Sequence, residues 1–152
     1  MTDTRRGSWL GYGAALWALI FGFLHIVWAA GWRIGLETEL ARKAFDQPWF
    51  LAYDLAVAGI CLVAAGVALA MVRPWGLWLP RWVVGALAWA GTGLLMLRAA
   101  SSLVQVLYLV AKGSFAVRPM QFWEVWFYLG AILFGLSAWR FSTARPKPSI
   151  GA

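Results

Sequence analysis

His25, Asp54, Arg98 and Glu124 stand one apiece inside four long apolar stretches of the chain. Their types cover acid–base chemistry and anion binding. An imidazole with an unperturbed pKa of about 6.5 can trade a proton near neutral pH, and a carboxylate can accept one. A guanidinium can hold an anionic group through a fork of N–H donors. In hydrocarbon each ionisable group costs roughly 2.5–3.5 kcal/mol on insertion scales, so it persists where it meets a partner or water. Around Arg98 the sequence adds Ser101, Ser102 and Gln105 at i+3, i+4 and i+7, one polar stripe on a helix face. Lipid does not tolerate such a face, so the stripe is expected to point inward, with Asp54 or Glu124 as partner of Arg98. Tyr128 lies one turn from Glu124, while His25, Trp28 and Trp32 fall along one face of their own segment. The expected result is a single cup lined by imidazole, indole, guanidinium, carboxylate and phenol.

The elements that must hold this cup are set by composition. The chain has 152 residues, of which 62% are hydrophobic and 12% charged, with 12 tryptophans. Apolar surface in that proportion exceeds what a soluble fold of this length can hide, whereas a bilayer accepts it on the outside of a helical bundle. Four stretches, near 9–32, 49–72, 82–110 and 120–140, are long enough to cross about 30 Å of hydrocarbon. Ala29-Ala30-Gly31 imitates a signal-peptide cleavage site, but the run before it is too long and too aromatic for one. Between the second and third spans, Pro74 and Pro80 bracket Trp75 and Trp78 in a tight interfacial turn. The fold class is therefore an all-α integral membrane protein: one domain, a four-helix bundle, with an irregular tail over 141–152.

Basic residues set the expected orientation. Arg5, Arg6, Arg73, Arg81, Arg140, Arg145 and Lys147 flank the side of both termini, seven against five on the other side. The positive-inside rule places both termini in the cytoplasm of a bacterial inner membrane. All four ionisable residues then fall in the outer half. Anionic lipid headgroups, rather than nucleic acid, balance the net charge of +7. A faint internal repeat agrees: aligning Trp9 with Trp82 puts His25 on Arg98, and both inward spans open with proline and then an aromatic–acid pair, Tyr53-Asp54 and Trp123-Glu124. Two repeated helical hairpins are implied. Leu36 and Leu40 could lay the segment to Phe45 flat on the outer surface as a lid. The glycines and alanines of the spans, Gly11, Ala15, Gly59, Gly66, Gly85 and Gly130 among them, permit close helix contact inside the bundle or between protomers.

Phe23-Leu24-His25-Ile26-Val27-Trp28-Ala29-Ala30-Gly31-Trp32-Arg33, Leu95-Met96-Leu97-Arg98-Ala99-Ala100 and Trp123-Glu124-Val125-Trp126-Phe127-Tyr128 together resemble the bacterial four-helix membrane proteins grouped as domain of unknown function 3995. In that group a His-x-x-Trp-Ala segment ends the first span, an arginine lies in the third, and an acid precedes a tyrosine in the fourth. Trp32 stands where a second glycine is expected. The resemblance covers nearly the whole chain and implies the fold without an activity.

Three roles remain open on the residues alone. One is a binding or sensing module for a small anionic or amphipathic molecule, such as a lipid headgroup, with Arg98 as its anion partner. A second is an intramembrane enzyme in which His25 and Glu124 exchange protons with a lipid-like substrate. The third is a structural or accessory subunit that joins a membrane partner or a second copy of itself. The residues rank binding and accessory roles above catalysis, since no nucleophile elbow, phosphate loop, haem-ligand pair or metal cluster is present. A lone histidine and the single Cys61 predict neither a metal nor another cofactor. Cys61 reads as a small core residue.

Overall fold

The computed structural model describes residues 5–32, 34, 43, 45–113 and 121–144, with side chains omitted for 5–7 and 121–123. Among the described residues the chain is four helices: α1 (Arg5–Ala29), α2 (Pro48–Ala70), α3 (Arg81–Ala111) and α4 (Gln121–Thr143). All four are long and apolar enough to cross a membrane. The chain is a multi-pass membrane protein. The surface segment expected over 36–45 lies for the most part outside the described residues, as do Trp123's side chain and the tail from 145. The first residues of the expected irregular tail, 141–143, are the last turn of α4.

Helix ends follow local chemistry. α1 stops at Ala29, earlier than the expected residue 32, because Gly31 adopts φ +89°. Its N–H bonds to the Trp28 carbonyl, and the Trp32 N–H reaches back to Val27, a Schellman closure that satisfies the last carbonyls. Trp32 is thereby carried past the helix. α2 begins on Pro48, where a missing N–H costs nothing. It gives way to a 3-10 turn, Pro74–Trp78, and α3 starts after Pro80.

That turn is packed without slack. A Cβ on Gly76 would lie 1.9 Å from the backbone oxygen of Ala70. Neither partner is a flexible side chain, so Gly76→Ala should cost about 2–3 kcal/mol or more, read as a lower midpoint of thermal unfolding in detergent.

The helices pair as two antiparallel hairpins, α1 with α2 and α3 with α4, and α1 also packs along α4. α1 is the central element. It presents Leu10, Ala14, Trp17, Phe21, His25 and Trp28 inward, an aromatic ridge at helical spacing. α2 answers with a groove of small residues: Asp54, Ala58, Cys61, Ala65 and Ala68 are buried. Ridge into groove brings the backbones close, and Gly22 sits against Cys61. Cys61 is thus a core residue. Across the bundle, Trp17 stacks on Phe21 and Trp126 and meets Phe134 edge-on, while its indole N–H donates to the Trp126 carbonyl at 2.9 Å. Gly11, Gly22 and Gly130 serve contacts inside the bundle, whereas Gly59 and Gly66 face open space on the outside of α2.

Candidate functional site

His25 and Asp54 meet where the α1 ridge enters the α2 groove. His25 Nδ1 and Asp54 Oδ1 are 2.7 Å apart, and the two residues are 4% and 0% exposed. An ionised Asp54 accepts this bond from the Nδ1–H. The imidazole is fixed from several sides: the rings of Phe21 and Trp28 stand edge-on at 4.8 Å, and Tyr53 at 6.0 Å. Trp28 is itself anchored, its indole N–H donating to the Ile34 carbonyl at 3.0 Å. Both side chains are buried, yet Asp54 Oδ2 has no hydrogen-bond partner.

Arg98 and Glu124 form the second pair, inside the other hairpin. The guanidinium forks onto the carboxylate, Nη2 to Oε1 at 3.0 Å and Nη1 to Oε2 at 3.1 Å. This two-bond geometry is the strong form of the interaction. Ser102 completes it, accepting from Arg98 and donating to Glu124. The Arg98 guanidinium lies over the Phe127 ring at 4.6 Å, a cation–π contact. One turn on from Glu124, the Tyr128 hydroxyl donates to the Ala99 carbonyl at 2.9 Å and ties α4 to α3.

The expected single cup is divided into these two pairs. Arg98 takes Glu124 and not Asp54, and Asp54 takes His25. A chain of ring contacts joins the pairs: His25 to Phe21, Phe21 to Phe127 at 5.4 Å, Phe127 to Arg98. His25 and Glu124 each take a partner within their own hairpin.

The polar stripe of α3 is also split. Arg98 and Ser102 face Glu124, whereas Ser101 and Gln105 are exposed on the outside of the bundle. The reason lies in the small buried residues of α3, Val84, Ala88, Thr92, Ala99 and Ser102, which set the inward direction and leave Arg98 at the edge. Ser101 returns its hydroxyl to the Arg98 carbonyl at 2.7 Å. Of the tryptophans, Trp28 is core rather than interfacial belt, and Trp32 and Trp49 are exposed as a belt requires. The residues that sequence reasoning passed over are Phe21 and Phe127. Their signal was spacing, one turn before His25 and one turn after Glu124.

No curated protein and no solved structure matches this chain significantly. A family model does: the one described as protein of unknown function (DUF3995) matches residues 18–134. That stretch holds both polar pairs and the rings between them, and the match runs over well more than half of the chain. The chain belongs to the DUF3995 family.

Proposed function

We propose that this protein is a binding module of the bacterial cytoplasmic membrane that holds the polar head of a small anionic or amphipathic molecule at the Arg98–Glu124 pair. The positive-inside count puts both termini in the cytoplasm and this pair toward the outer face. The observation that carries the reading is the exposure of Arg98. Although forked onto Glu124, its side chain remains 40% exposed, and Ser101 and Gln105 are exposed on the same side of α3. Arg98 lies sixteen residues from Trp82, about 24 Å along α3. A polar face at that depth is stable where it meets a headgroup, a ligand or a partner helix rather than acyl chains. The three bonds to Glu124 and Ser102 leave the guanidinium further N–H groups to offer outward. Glu124 already neutralises the cation, which favours a head with both charges or a polar anion over a bare inorganic ion.

The test removes both charges together, since Arg98→Gln alone would strand a carboxylate that is 15% exposed. Arg98→Gln/Glu124→Gln should fold, with a melting temperature close to wild type. Mass spectrometry of amphiphiles that co-purify should show a species in wild type depleted about tenfold in the variant. Equal recovery from both proteins refutes the reading and leaves the pair a helix clamp.

A further inference from the structure

At the opposite end of the bundle, where the start of α1, the end of α4 and the Pro74–Trp78 turn gather, the two hairpins part around a cavity of about 850 Å³. It is lined by the start of α1, the end of α2 and the turn, and by the start of α3 and the last turns of α4. Three arginines line it, Arg73, Arg81 and Arg140, and no acidic residue is among the described lining residues. The contrast with the other end of the molecule is chemical. There, His25 and Arg98 each face a carboxylate. Here, Arg81 donates to the backbone carbonyls of Phe141 and Ala144 at 2.7 and 2.9 Å and lies over the Phe141 ring, and Arg73 lies over the ring of Tyr12. These partners are neutral, so they orient the Arg73 and Arg81 guanidiniums without cancelling their charge.

The rest of the lining gives the site a second character. Met71, Val72, Leu77 and Phe141 present apolar surface, and Ser137 and Thr143 contribute hydroxyls. The volume falls within the range of small-molecule sites. A cavity lined by three arginines and by apolar side chains, at the end of a membrane span, matches an anionic head with hydrocarbon attached. Guanidiniums are the side chains best suited to phosphate oxygens, through paired N–H donors. We propose that this cavity binds a phosphate group, carried by the headgroup of an acidic phospholipid, between the two hairpins. The site is separate from the Arg98–Glu124 pair in residues and in the half of the bundle it occupies.

The experiment titrates the purified full-length protein in detergent with phosphatidylglycerol or with phosphatidylcholine and counts bound lipid by native mass spectrometry. Wild type should bind the acidic lipid at least about tenfold more tightly. Arg73→Gln/Arg140→Gln should weaken phosphatidylglycerol binding about 30-fold, the sum of two surface cations. Lys43→Gln/Lys112→Gln, the same change of net charge at the other end, should leave it within about twofold. Arg73→Lys/Arg140→Lys keeps the charge and should retain most of the binding even if the glutamine pair folds poorly. Inorganic phosphate at millimolar concentration should displace little lipid. Equal affinity for the two lipids, equal losses in the arginine and lysine pairs, or an unaffected arginine pair would overturn the site. Displacement by millimolar phosphate would overturn the lipid as its occupant. Because Arg98 and Glu124 are untouched in every variant, the outcome is independent of the loop-end reading.

Discussion

Replacing His25 by leucine is expected to lower stability by about 3–5 kcal/mol, among the largest single effects in the molecule. The loss comes less from the missing bond than from what it leaves. Asp54 is fully buried, and His25 is the hydrogen-bond partner of its Oδ1, while Oδ2 has none. Without the imidazole, an ionised carboxylate would sit in apolar surroundings with no compensating group. The double variant His25→Leu/Asp54→Leu should recover most of the loss, because a well-packed apolar pair replaces a buried polar one at little net cost. Asp54→Asn should be mild, its amide keeping a hydrogen bond to the ring and carrying no charge. Thermal or denaturant unfolding in detergent would order the proteins with the single leucine variant far below the other two. If single and double leucine variants fall together, the pair contributes volume and not electrostatics.

The second large effect is expected at Gly130. A Cβ there would stand 2.5 Å from the Trp17 ring, and that ring is held by Phe21, Trp126 and Phe134 and by a hydrogen bond to the Trp126 carbonyl. Trp17 is buried and has no direction in which to yield. Gly130→Ala should therefore cost about 3 kcal/mol despite its better helix propensity, which alone would favour it by roughly 1 kcal/mol. Combining it with Trp17→Phe should restore part of the loss, since the smaller ring vacates the volume the methyl needs. Trp17→Ala by itself should cost about 3–5 kcal/mol. Melting temperatures of the four proteins check the cycle, and additivity of the two substitutions would show that the residues do not share the space.

The fold was legible because its determinants are one-dimensional. Apolar length, the proline-bracketed turn and the paired spans are properties of consecutive residues, and the first helix ended early where a backbone conformation decided it. Gly31 shows this: its left-handed φ ends α1, but a glycine two residues after an alanine is read as easily as part of a flexible span. The site was legible in its members and less so in its partnering. Depth along each helix put His25, Asp54, Arg98 and Glu124 at one level, yet depth carries no angular information about which helices adjoin. Asp54 could be assigned to Arg98 from sequence because opposite charge was the only criterion at hand; packing of the Trp17–Phe21–His25 ridge into α2 gives it to His25 instead. The split of the α3 stripe has the same origin. Periodicity marks a polar face, while Ala99 and Ser102 decide how far that face is rotated toward the bundle. The arginine cavity was beyond reach, since it is assembled from three stretches far apart in the chain, the start of α1, residues 70–81 and the end of α4.

Among the described residues the two pairs of ionisable side chains close within their own hairpins, His25 to Asp54 and Arg98 to Glu124, while the hairpins meet through rings and through the Trp17 indole bond to Trp126. The molecule therefore has a seam. Sliding or opening along it separates no opposite charges and exposes surfaces that lipid wets as readily as protein, whereas prising either half apart would strand ions in hydrocarbon. Detergent or heat should loosen this seam first, giving two intact halves joined by the Pro74–Trp78 turn. During synthesis the same rule lets each half enter the bilayer with its polar pair already closed, one after the other, before the two are pressed together.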